Sequence, residues 1–123
     1  MHQFDLKNRT AIITGGAQGF GLDIAERFLN SGTKVIIWDI DKNELLKASK
    51  KLDNSNLSTF VVDVSNFKQV NDSVDEIVKN FNIDILINNA GITGSTASLW
   101  DYDVKEWNKI VNINLMGTFN TCK

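Results

Sequence analysis

The sequence predicts an α/β domain on a doubly wound parallel sheet, with four strands in the order 3-2-1-4 and helices on both faces. Three observations carry that expectation. Short β-type runs alternate with longer segments of helical period, a glycine-rich turn from Thr14 to Gly21 joins the first run to the first helical segment, and the second run ends on Asp39. Such alternation specifies βαβ units, whose crossovers lay helices over parallel strands.

The first element is the run Thr10-Ala-Ile-Ile-Thr14, apolar at its centre and closed by glycines, as suits a strand buried on both faces. A helix follows, with Phe20, Ile24, Ala25, Phe28 and Leu29 on one face, Asp23, Glu26 and Arg27 opposite, and Gly32 as its C-terminal cap. Lys34-Val-Ile-Ile-Trp38 forms the second strand. Asp41, three residues before Glu44, opens a second helix that turns Leu45, Ala48, Ser49 and Leu52 inward. After a turn at residues 53–56, the run Thr59-Phe-Val-Val makes a third strand ending at Asp63-Val64. From Asn66 to Phe81 a third helix carries Phe67, Val70, Val74, Ile77, Val78 and Phe81 at helical spacing. Ile83 to Ile87 is the fourth strand, stopped by Asn88-Asn-Ala-Gly91. A polar loop leads to a fourth helix, capped by Asp103, with Trp107, Ile110, Val111, Leu115 and Phe119 on its apolar face. Trp38, Trp100, Phe60 and Phe81 are assigned to core or loop packing.

Composition narrows the function. The chain has 123 residues, 42% apolar and 23% charged, with a net charge of −2, so it is at most one ordinary globular domain. Lysines and arginines are scattered and form no stripe that could neutralise a phosphate backbone, which argues against a nucleic-acid partner. No apolar run approaches the roughly 20 residues of a membrane span, and no secretory signal opens the chain, so a cytoplasmic, non-membrane protein is expected. Cys122 is the single cysteine and His2 the single histidine. Neither has companions at metal-ligand spacing, and no metal site is expected.

The stretch Thr14-Gly-Gly-Ala-Gln-Gly-Phe-Gly21 is the most informative. A glycine turn between a buried strand and a helix lets backbone approach a pyrophosphate, whose charge rests on unpaired N–H groups at the helix start. A ligand-free tight turn would also use glycine, so the stretch alone leaves both readings open. Asp39, placed where a carboxylate can accept both hydroxyls of an adenosine ribose and repel a 2′-phosphate, favours the first. Ile40 and Asp41 follow it, with no basic residue, so NAD is expected over NADP.

Thr14, Gly15, Gly19 and Gly21 match T-G-x-x-x-G-x-G, and Asn88, Asn89, Ala90 and Gly91 match N-N-A-G. With these motifs the chain resembles the N-terminal half of a short-chain dehydrogenase/reductase, a Rossmann-type family. The resemblance covers essentially all 123 residues. It implies that Gly15, Gln18, Gly19, Phe20 and Gly21 cradle the pyrophosphate, that Asp39 and Ile40 flank the ribose, that Asp63 and Val64 meet the adenine, and that Asn89, Ala90 and Gly91 lie on the nicotinamide side. It also implies that Asn114, in a Trp107…Asn114-Leu-x-Gly117 pattern, holds a catalytic water; Asn112 is its neighbour by sequence only. Phe20 departs from the aliphatic residue usual in the family and is expected to crowd the site without abolishing it.

In that family a tyrosine, a lysine four residues later and a serine perform the proton chemistry. Tyr102 is the only tyrosine here, and Glu106 stands four residues on. A glutamate raises a phenol pKa where a lysine would lower it. The resemblance therefore implies a cofactor-binding half, truncated before the catalytic serine, tyrosine and lysine and inactive alone. Its full-length parent would be a homo-oligomer, dimer or tetramer, acting on a small alcohol or carbonyl substrate, similar to 3-oxoacyl-(acyl-carrier-protein) reductases or sugar and polyol dehydrogenases. A non-catalytic nucleotide-binding or interaction module is the alternative.

Overall fold

A computed structural model describes residues 4–123; His2 lies outside them. Four parallel strands form one sheet in the expected order β3-β2-β1-β4. β1 (Thr10–Thr14) lies between β2 (Lys34–Asp39) and β4 (Ile85–Ile87), with β3 (Leu57–Val61) outside β2. Pairs such as Ile12 with Ile36 and with Leu86 set the register.

Side chains alternate across a strand, so β1 and β2 feed two cores, one on each face. Ile13, Val35 and Ile37 pack with Ala25 and Leu29 of α1 (Gly19–Asn30) and with Leu45 and Ala48 of α2 (Lys42–Leu52). Ile12, Ile36 and Trp38 point the other way, onto Val70 and Ile77 of α3 (Phe67–Ile77). Both strand centres are dry, which is why they read as unbroken apolar runs. Trp38 is 1% exposed and its Nε1 has no hydrogen-bond partner among the described residues. That orphan donor costs on the order of 1–3 kcal/mol, which the burial of the large ring offsets.

The helix-start signals and the glycine after α1 hold, whereas α3 stops at Ile77, short of the expected Phe81. Gly32 follows α1 at φ 82°, and Asp41 caps α2 by accepting from the N–H groups of Asn43 and Glu44. Asn66 caps α3 through the Gln69 amide. Several faces, however, are narrower than the periodicity predicts. Phe20 stands out at 83% exposure in the first turn of α1, and Ser49, Phe67 and Val78 are also exposed. β3 starts at Leu57 and stops at Val61, so Asp63 and Val64 lie in the connection to α3 and not at the strand's end. β4 is shortened to Ile85–Ile87. Just before it the Asp84 carboxylate accepts the Thr10 N–H at 2.9 Å and pairs with Arg9 at 3.2 Å.

The largest correction concerns the fourth helix. After a 3₁₀ turn at Leu99–Asp101 it runs as α4 (Val104–Val111), a π-helical segment Asn112–Met116, and α5 (Gly117–Cys122). Asp103 caps α4, accepting from the Glu106 N–H. The predicted face is largely on the outside, with Trp107, Leu115 and Phe119 at 50%, 65% and 55% exposure. A π turn takes one extra residue and rotates everything after it. The residues that reach the interior from α5 are Gly117 and Asn120.

Candidate functional site

β1 is flanked by β2 on one side and β4 on the other, so the chain segments leaving these strands diverge beyond their carboxyl ends. Open α/β sheets place their crevice at such a point. A cleft of about 360 Å³ lies there, walled by the glycine turn, the end of β2, the β3–α3 connection and the segment after β4.

Nine of the residues anticipated from sequence line it: Gly15 and Gln18 in the turn, Asp39 and Ile40 at the end of β2, Asp63 and Val64 before α3, and Asn89, Ala90 and Gly91 after β4. Gly19, Phe20, Gly21 and Asn114 do not form its wall, and their contributions are of other kinds. Gly19 has φ 57° with open space where a side chain would start, so it is the backbone conformation that favours glycine there. At Gly21 a β-carbon would lie 2.4 Å from the Gly15 carbonyl oxygen and 2.6 Å from Asn89 Nδ2, so the helix start could not seat under the turn. Phe20 points to solvent.

Gln18, the N-cap residue of α1, makes no side-chain hydrogen bond to the first-turn amides, and that turn has no acidic residue. Helix-start N–H groups left without a side-chain cap, with the helix dipole behind them, are chemically suited to an anion. Asp39 is held beside the glycine turn. Its Oδ2 accepts the Ala17 N–H at 3.2 Å and its Oδ1 the Asp41 N–H at 3.1 Å, so one carboxylate ties the glycine turn to the start of α2.

Thr14 and Asn89 join the turn to β4. The Thr14 hydroxyl accepts from the N–H groups of Asn89 and Ala90 at 3.1 and 3.0 Å, and Asn89 Nδ2 donates to the carbonyls of Thr14 and Gly15 at 3.1 and 2.9 Å. Asn88 points elsewhere, its Oδ1 accepting from the Thr121 hydroxyl at 2.6 Å. Asn114 grips the segment after β4 from the helix. Its Oδ1 accepts the Ile92 N–H at 2.9 Å and its Nδ2 donates to the Ile92 carbonyl at 2.8 Å. The Asn114 side chain thus orients backbone with one acceptor and one donor.

The β3–α3 connection is equally well tied. Asp63 Oδ1 accepts from both the N–H and the hydroxyl of Ser65 at 2.9 and 2.6 Å, while its own N–H donates to Gln69 Oε1. Its Oδ2 keeps free acceptor capacity among the described residues.

Sequence reasoning missed Val62, Ile92 and Ile113, which also line the cleft. They are apolar wall and belong to no motif; only their position next to Asp63, Gly91 and Asn114 could have marked them. Tyr102 lies apart from the cleft wall, edge-on to Trp107 at 5.8 Å. Its phenol pKa is raised by burial and then by the Glu106 carboxylate, the wrong direction for a base. Glu106 itself accepts from the Ser95 N–H and hydroxyl at 2.9 and 2.8 Å, fastening the loop to α4. No group of three or more histidine, cysteine, aspartate or glutamate side chains among the described residues could hold a metal ion. Among the described residues no helix is long and apolar enough to cross a membrane.

Comparison with known proteins agrees with this arrangement. The family model described as short chain dehydrogenase matches residues 9–123. A 3-oxoacyl-(acyl-carrier-protein) reductase of Chlamydia trachomatis serovar D is 37% identical over 121 residues, covering 95% of this chain and 48% of the relative. A 2-dehydro-3-deoxy-L-rhamnonate dehydrogenase (NAD(+)) of Sphingomonas sp. strain SKA58 is 36% identical over 115 residues, 90% of this chain and 44% of the relative. Among solved structures, a 3-ketoacyl-(acyl-carrier-protein) reductase from Brucella melitensis complexed with NADH superposes with a TM-score of 0.90 at 30% identity, over 95% of this chain and 48% of that one. The chain thus spans about half the length of the curated relatives it matches. Matched by the family model over nearly its whole length, the chain belongs to the short-chain dehydrogenase family.

Proposed function

We propose that this chain is the NAD-binding half of an oxidoreductase that interconverts a small alcohol and its carbonyl. The observation that supports the reading is the cleft itself, which brings together the turn before an uncapped helix start, the fixed Asp39 carboxylate and the Asp63 carboxylate with a free oxygen. The N–H groups at the start of α1 would take the pyrophosphate, with Gly15 and Gly19 letting the backbone close on it. Asp39 would accept the adenosine ribose hydroxyls, Asp63 Oδ2 the exocyclic amine of the adenine, and Val62 and Val64 would pack on the ring. Ala90, Gly91 and Ile92 would border the nicotinamide, with Asn114 holding that border in place.

When bound, the nicotinamide supplies hydride acceptance or donation. The chain's own residues bind and orient it. Tyr102 is not placed to serve as the base, since it is set apart from the cleft wall with its proton held more tightly than in an ordinary phenol. We infer that the serine, tyrosine and lysine of the family's proton chemistry are supplied by a segment following these residues, and that the parent enzyme acts as a homo-oligomer. Asp39 also sets the cofactor. A 2′-phosphate would meet Asp39 with no cation among the cleft residues, so NAD is preferred over NADP.

The test is titration of the protein with NADH and NADPH, followed by nicotinamide fluorescence. NADH binds, NADPH binds at least about 10-fold more weakly, and Asp39→Ala weakens NADH while narrowing that gap. Equal affinity of the parent protein for both nucleotides would overturn the assignment of Asp39, and no binding of either would overturn the cofactor reading.

A further inference from the structure

We infer that Asn120, a residue outside every family motif recognised in the sequence, is a positioning residue for the adenine end of the cleft, and that Gly117 is its necessary companion. The inference rests on the cofactor reading above and adds a determinant of affinity to it. It starts from the β3–α3 connection. Asp63, Val64 and Ser65 are tied locally by the Asp63 side chain, by Gln69 and by a turn in which the Asn66 N–H donates to the Asp63 carbonyl at 3.0 Å. Those bonds fix the shape of the turn, and the Val62 N–H, donating to the Asp39 carbonyl at 3.0 Å, ties its start to the end of β2.

The far side of the turn, at Val64, is held from α5. Asn120 is 7% exposed, and its Nδ2 donates to the Val64 carbonyl at 2.9 Å. Gly117, one helical turn earlier on the same face, is buried against the Val64 side chain. A β-carbon there would lie 2.7 Å from Val64 Cγ2 and 3.3 Å from Val64 Cβ. One residue thus pulls Val64 inward through its carbonyl and the other gives the side chain room to come. Val64 is itself 7% exposed and lines the cleft with Val62 and Asp63.

The π segment explains how one helix reaches both ends of the site. Asn114 lies within it and holds Ile92 through two hydrogen bonds, while the extra residue of the wide turn rotates Gly117 and Asn120 onto Val64. Two asparagines six residues apart, about 9 Å along the axis, therefore brace opposite walls of the cleft. In an unbroken α-helix six residues turn through about 600°, which leaves Asn114 and Asn120 about 120° apart around the axis, and the wide turn changes that angle.

The experiment is calorimetric titration of the protein with ADP-ribose, which carries the adenosine end without the nicotinamide, for the parent and for Asn120→Leu and Gly117→Ala. The expected result is an affinity loss of about 5-fold or more in each variant. A residue that serves stability alone would lower the number of competent sites without changing their affinity, so the two roles separate in one titration. Gly117→Ala carries the test should Asn120→Leu not fold. Parent-like affinity in the folded variants overturns the positioning role and leaves the cofactor reading standing. Failure of the parent itself to bind ADP-ribose overturns both.

Discussion

Replacing Gly21 by alanine tests the seating of α1 under the glycine turn. The added methyl would fall 2.4 Å from the Gly15 carbonyl oxygen, 2.6 Å from Asn89 Nδ2 and 2.9 Å from Gly16 Cα. Two of these three neighbours are backbone and cannot rotate aside, so the overpacking cost belongs near the top of the usual range, about 3 kcal/mol. The third is the amide that bonds the Thr14 and Gly15 carbonyls, and displacing it forfeits about 1 kcal/mol more. Alanine's better helix propensity returns about 1 kcal/mol. The net expectation is a destabilisation of about 3 kcal/mol. Gly19→Ala is the control. It has the left-handed φ of 57° but nothing within 4 Å of the new methyl, so it should cost only about 1–2 kcal/mol. Urea unfolding followed by far-ultraviolet circular dichroism measures both. A Gly21→Ala loss smaller than that of Gly19→Ala would refute the close-approach reasoning.

Two further outcomes follow from the ends of the elements. Asp84 has its carboxyl pKa lowered from the ordinary 3.8, first by the Thr10 N–H and also by Arg9. The native state therefore gives up this proton more readily than the unfolded chain. The resulting stability is present above the ordinary carboxylate value and is lost as pH falls through the lower native one; Asp84→Asn should flatten the acid limb of a stability profile, and an unchanged limb would refute the assignment. At the start of α2, Asp41→Ala removes the acceptor for two N–H groups and should cost about 1 kcal/mol in thermal unfolding, against no measurable change if the helix start is held by other groups.

The strand order and the position of the cleft were legible because they follow from signals that act locally. The glycine turn, the capping aspartates at 41 and 103, and the two dry runs in β1 and β2 each constrain the backbone over a few residues, and the sheet assembles from them. Site residues were legible where a polar or conformational requirement fixes the residue type, as at Asp39, Asp63 and Asn89. The walls Val62, Ile92 and Ile113 were not, because an apolar residue that touches a ligand and one that touches the core are the same choice of side chain. The fourth helix was misread for a different reason. Its apolar residues were placed on one face by assuming a constant turn, and the π turn at Asn112–Met116 rotates those that follow it, Phe119 among them, while Trp107 precedes it. Asn120 escaped notice altogether, since a lone asparagine in a helix announces a hydrogen bond without naming the partner, here a carbonyl 56 positions away in sequence.

The unpartnered indole of Trp38 gives the protein an internal optical signal. Its ring is sealed in the sheet at 1% exposure, whereas Trp100 and Trp107 stand at 86% and 50%. Tryptophan emission shifts to the red with the polarity of its surroundings, so the spectrum is the sum of one blue component from the sheet interior and two red components from the surface. A soluble quencher reaches the red pair and spares the blue one. Because Trp38 directly precedes Asp39 in β2, the spared light originates one residue from the cleft.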